Sequence, residues 1–113
     1  MRLRTVRQEL EARLKPVSSS SFKGAKAKAE WTTFGDGSME CRVNLFHVEL
    51  PDRSIVQILV DGKAVGDMNV AAKTARFQRE SEKGESVVEV KEGQVIQIAY
   101  QGTVLLEGSF YPD

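Results

Sequence analysis

Asp52-Arg53-Ser54-Ile55-Val56-Gln57-Ile58-Leu59-Val60-Asp61-Gly62-Lys63-Ala64-Val65 and Glu92-Gly93-Gln94-Val95-Ile96-Gln97-Ile98-Ala99-Tyr100-Gln101-Gly102-Thr103-Val104-Leu105 read almost as copies of one another, forty positions apart. Each is a run of β-branched residues, then a Gly-containing pair, then a second apolar run. That is the pattern of a β-hairpin closing on a two-residue turn. The duplication predicts a sheet assembled from related hairpins, and it places no reactive group on the repeated positions.

The flanking sequence keeps the same period. Ala25, Ala27, Ala29, Trp31 and Thr33 alternate with Lys26, Lys28, Glu30 and Thr32, as on a strand with one dry and one wet face. The alanines make the dry face shallow, so a bulky group is expected across it. Gly35-Asp36-Gly37-Ser38 is turn chemistry, after which Met39, Cys41, Val43 and Leu45 alternate again. The adjacent pair Leu45-Phe46 moves the apolar phase to Phe46, Val48 and Leu50, which predicts a bulge or a strand crossing between sheets. Further strands are expected within residues 74–81 and over Ser86–Val90, while Val70-Ala71-Ala72-Lys73 fits a helical turn. About eight short strands at regular spacing imply an all-β antiparallel β-sandwich or small barrel.

The N-terminal segment departs from this period. Leu3, Val6, Leu10 and Leu14 recur at steps of three and four, the spacing of one helix face. The spacing predicts an amphipathic helix over residues 3–15, ended by Pro16 and followed by the flexible run Val17-Ser18-Ser19-Ser20-Ser21. The expected organisation is therefore a helix and Ser-rich linker over 1–21 and a β-sandwich domain over 22–113. A lone helix of this length is marginal in water, so its leucine stripe needs a surface to cover.

Bulk composition narrows the function classes. The chain has 113 residues, 41% hydrophobic and 28% charged, the balance of one soluble domain able to bury a core. No apolar run approaches the roughly eighteen residues of a membrane-spanning helix. Arg7, Glu9, Glu11 and Arg13 interrupt any secretory signal pattern, so the expected location is the cytoplasm. The formal net charge is zero, yet residues 1–28 hold eight Lys and Arg against Glu9 and Glu11, and the remainder is correspondingly acidic. A basic leader on an acidic body is suited to nucleic acid or anionic lipid, and equally to its own acidic domain or a neighbouring copy.

Reactive groups are sparse. Cys41 and His47 are the single Cys and His, which leaves no disulfide, thiolate cluster or His-rich metal set. Six positions apart on one expected strand, they stand about 20 Å from each other and form no dyad. Asp36, Asp52, Asp61 and Asp67 are turn formers without the spacing of a calcium loop. Glu80, Glu82, Glu85, Glu89 and Glu92 would permit a carboxylate hydrolase on paper, but such a run is usually a solvated face. No cofactor and no metal are expected.

A second level of pattern is Gly24 to Trp31, Leu50-Pro51, Asp61-Gly62 to Gly66, and Leu105-Leu106-Glu107-Gly108-Ser109-Phe110. Over residues 23–111 this order resembles a group of short, functionally uncharacterised bacterial β-rich domains. Many of those domains look exported. The resemblance implies a fold and no activity.

These readings lead to a non-catalytic interaction or structural module. Protein association, self-association included, is expected through the Leu3, Val6, Leu10 and Leu14 stripe or a sheet edge. The alternative is carbohydrate or small-ligand binding by loops, with Trp31 or Tyr111 as an aromatic platform. Nucleic acid is expected only through the basic leader.

Overall fold

The structure is a computed structural model that describes residues 5–113. It contains nine strands: β1 (Val6–Pro16), β2 (Lys26–Phe34), β3 (Met39–Phe46), β4 (Ile55–Val60), β5 (Lys63–Asn69), β6 (Ala75–Glu80), β7 (Val95–Tyr100), β8 (Thr103–Ser109) and β9 (Tyr111–Pro112). A single 3-10 turn, Ser81–Lys83, is the helical element among the described residues. Neighbours are antiparallel in the order β5-β4-β7-β8-β1-β2-β3-β6, with β9 against β1, and β5 and β6 approach each other so that the sheet nearly closes into a barrel.

The duplicated stretches are the hairpins β4–β5 and β7–β8. Both turns have two consecutive positive φ values, 48° and 82° at Asp61-Gly62 and 50° and 80° at Gln101-Gly102, the pair a tight hairpin matched to strand twist requires. Each hairpin also slips register at the equivalent place, after Ile58 and after Ile98, leaving Val65 and Leu105 as the extra residues. The first strands of the two hairpins pair with each other, and Ile58 lies opposite Ile98. The repeats are therefore related by a local two-fold axis beside that isoleucine pair. Ile58, Ile96, Ile98 and Leu106 are fully buried there, each contributing about 1.5–3 kcal/mol of apolar burial.

The expected N-terminal helix is not present among the described residues. Residues 6–16 form β1, and it is the strand that joins the two halves of the sheet: Val6 to Leu14 pair with β2, and Lys15 and Pro16 pair with β8. Leu10, Ala12 and Leu14 point inward, while Val6 is 47% exposed. Leu3 lies outside the described residues. The physical reason for the correction is partner supply. The shallow alanine face of β2 and the free edge of β8 offer β1 backbone pairing and a core, which outweigh a marginal helical preference.

Two further expectations are corrected. Ser86–Val90 is not a strand; it crosses an end of the barrel, buries Val90, and lets the Val88 carbonyl accept from Trp31 Nε1 at 2.9 Å. Val70 to Lys73 is not helical either. Ala72 and Lys73 have φ of 51° and 64° in a tight β turn closed by the Ala71–Thr74 bridge.

The core runs the length of the barrel, with Phe110 edge-on to Trp31 at 5.3 Å between ring centroids. At the seam between β5 and β6, the Phe77 ring lies over Gly66 where a side chain would otherwise stand.

Candidate functional site

The outer face of β1, β2, β3 and β6 is built from the residues that alternate with the core. The registers align them in rows across the strands. Nearest one end are Lys26 and Phe46, with Lys15 beside them at the end of β1. Next comes Arg13, Lys28, Asn44 and Arg76; then Glu11, Glu30, Arg42 and Gln78; then Glu9, Thr32, Glu40 and Glu80. Charge is thus sorted along the strands. On β1, β2, β3 and β6 the two rows at the Phe46 end hold Arg13, Lys15, Lys26, Lys28 and Arg76, with Glu107 of β8 opposite Lys15 at their margin, and the far row holds Glu9, Glu40 and Glu80.

Phe46 is the aromatic of this end. It is 39% exposed, because β3 stops there and His47, at φ 57°, turns the chain before Val48 and Leu50 return to the core. The expected shared phase of Phe46 with Val48 and Leu50 is therefore corrected. Phe46 stands between two open grooves. One, of about 300 Å³, runs between Arg13, Lys15, Lys26 and Lys28 over Leu14 and Ala27. The other, of about 420 Å³, runs past Asn44, Asn69, Thr74 and Arg76.

Arg13 and Lys28 lie directly opposite each other on neighbouring strands, a like-charge pairing that costs stability. Glu11 offsets it. Its carboxylate is nearly buried and lies 2.9 Å from Lys28 Nζ and 3.5 Å from Arg13 Nε. Tyr111, carried by β9 on the other side of β1, donates its hydroxyl to Glu11 Oε2. The Tyr111 hydrogen bond, followed by the Lys28 ammonium, holds the Glu11 carboxyl below its ordinary value, against the opposing effect of burial. The same carboxylate pushes Lys28 up. Among the described residues no ion pair engages Lys15, Lys26 or Arg76.

The other sequence candidates do not gather at this site. Leu10 and Leu14 are in the core, and so is Trp31, 4% exposed, which leaves no open ring face as a sugar platform. Tyr111 is 39% exposed, with its hydroxyl committed to Glu11. Cys41 is buried, and loss of solvent pushes its thiol up to about 11, so it is not a thiolate nucleophile at neutral pH. His47 is exposed, beyond the end of the strand that carries Cys41. Glu82, Glu85, Glu89 and Glu92 are exposed along one segment, and Glu85 accepts from the Glu80 backbone N–H at 2.9 Å. Among the described residues no group of three or more His, Cys, Asp or Glu is arranged to hold a metal ion. No described helix is long and apolar enough to cross a membrane.

Four of the five cations of the site, Arg13, Lys15, Lys26 and Lys28, were visible in the sequence as part of the basic leader; Arg76 was not. Phe46 was not, because its neighbours Leu45 and Val48 made it look interior. No protein-family model and no curated protein matches the chain.

Proposed function

We propose that the protein is a non-catalytic binding module that takes an anionic partner on the Phe46 end of the β1–β2–β3–β6 face. The observation that carries this reading is the sorting of charge on that face. Five cations share two rows with an exposed aromatic and two grooves; Glu11 and Glu30 stand in the next row, where Glu11 bridges Arg13 and Lys28, and Glu9, Glu40 and Glu80 stand at the opposite end. Such a field steers and holds a negative ligand even though the whole chain has no net charge.

Self-association through an N-terminal helix loses its support, since residues 6–16 form β1. A sheet-edge contact has less support than the charged face, because the two edge strands, β5 and β6, face each other across the seam filled by Phe77.

Retention on heparin resin tests the reading. The full chain is expected to bind at low salt and to elute as salt rises, and Lys26→Glu with Lys28→Glu is expected to abolish retention. Glu82→Lys with Glu85→Lys, a control of opposite sense at a distant segment, is expected to leave the dependence on Lys26 and Lys28 intact. Flow-through of the unmodified protein at low salt, or unchanged retention of the Lys26/Lys28 variant, would refute the assignment.

A further inference from the structure

Resting on that reading, we infer that the anionic partner is a short stretch of single-stranded nucleic acid, lying across the strands with a base on Phe46. A lone phosphate is favoured by cations that converge within hydrogen-bond reach of one point. These cations are instead spread out. Arg13, Lys28 and Arg76 occupy one row on β1, β2 and β6, and strands about 4.8 Å apart make that row about 14 Å long. The footprint suits several phosphates in succession.

Two groups on the same rows are of little use to a plain polyanion. Phe46 presents an open aromatic face beside Lys26, and Asn44 places a half-buried amide between Lys28 and Arg76. Aromatic faces on a basic sheet stack bases regardless of sequence, and side-chain amides pair with base edges. The groove beside Phe46 is walled by the side chains of Arg13, Lys15, Lys26 and Lys28 and runs over the backbone of Leu14 and Ala27, whose own side chains point into the core, so the Phe46 ring is its one aromatic wall.

The acidic far row limits what can bind. Glu9, Glu40 and Glu80 lie on the same face, and a duplex, with a charge about every 1.7 Å of axis, would meet them. A flexible single strand can end or turn away before reaching them.

Fluorescence anisotropy with labelled oligothymidylate and with a duplex of the same length tests the inference, using unlabelled polyphosphate and vesicles containing phosphatidylserine as competitors. The single strand is expected to bind more tightly than the duplex. Its log K against log salt slope is expected to be about −2 to −3, from three or four phosphates at roughly −0.7 each. Lys26→Ala is expected to flatten that slope by about 0.7. Phe46→Ala is expected to weaken oligonucleotide binding about 5- to 150-fold, the equivalent of about 1–3 kcal/mol for one stacked base, and Phe46→Tyr to restore it. The Trp31 emission spectrum and the urea-unfolding midpoint of Phe46→Ala are expected to stay close to those of the unmodified protein, which shows that the variant is folded.

Heparin retention without oligonucleotide binding, or oligonucleotide binding insensitive to Phe46→Ala, would overturn this inference while leaving the anionic-partner reading in place. Vesicles that outcompete the oligonucleotide would identify a membrane surface as the partner instead. Loss of all anion binding would remove both.

Discussion

Glu11 is nearly buried on the outer face of a strand, a position where a carboxylate needs both a counter-ion and a hydrogen-bond donor. Lys28 and Tyr111 supply them. Because these contacts favour the ionised form in the fold, the stability Glu11 contributes is complete above the ordinary carboxylate range. It is lost as pH falls through the lowered value. Acid unfolding followed by Trp31 emission is therefore expected to begin at higher pH in Tyr111→Phe, which removes the largest cause of the lowering. In Glu11→Gln the same acid limb is expected to flatten, because the group that titrates is gone. An acid midpoint unmoved by Tyr111→Phe would show that this hydrogen bond does not set the carboxyl's affinity for protons. At this scale the sequence is least readable. Glu11 is one charge among many in the leader, and only the pairing of β9 with β1 brings Tyr111 to it from the other end of the chain.

Among the elements, the twin hairpins were legible because local chemistry and global fold agree there: period-two apolar runs, turn pairs that tolerate positive φ, and strands that pair with their own repeat. β1 was not legible for the opposite reason. Leu3, Val6, Leu10 and Leu14 fit a helix step, while the strand step is carried by Leu10, Ala12 and Leu14, in which Ala12 is a weak apolar marker beside Glu11. The two readings make opposite claims about single residues. A helical stripe puts Val6 inside and leaves Ala12 off the stripe; the strand leaves Val6 47% exposed and buries Ala12 completely. Ala12→Asp is accordingly expected to cost about 3 kcal/mol or more in urea unfolding, through an unpaired charge in the core. Val6→Lys is expected to stay within about 0.5 kcal/mol. The reverse order would restore the helix. Ser86–Val90 was misread by the same route. Val88 and Val90, two positions apart, look like one face of a strand, but Val90 is buried, Val88 is exposed, Val87 packs partly on the core, and no described strand pairs with the segment.

For the whole molecule, near-closure depends on two close approaches that no periodicity announces. At Gly108 an added Cβ would run into the Arg13 carbonyl, where β8 passes β1 at the junction of the two sheet halves; at Gly66 it would run into the Phe77 ring. Backbone cannot move aside as a side-chain ring can. Gly108→Ala is thus expected to fall at the upper end of the roughly 1–3 kcal/mol that overpacking costs, and Gly66→Ala at the lower end, by chemical denaturation. Equal costs would argue against a tighter junction at β1 than at the seam. The junction matters to function because β1 carries Arg13 and Lys15 to the side of β2, where Lys26 and Lys28 stand, with Phe46 at the end of β3. The composition of the leader showed a basic segment, and the sheet order shows what it is placed against. The most direct test is a two-dimensional amide NMR titration of the full chain with short polyphosphate. Progressive shifts are expected at Arg13, Lys15, Lys26, Lys28, Asn44 and Phe46, with Glu80 to Glu92 unmoved. Shifts centred on that acidic segment, or none anywhere at millimolar ligand, would contradict the account.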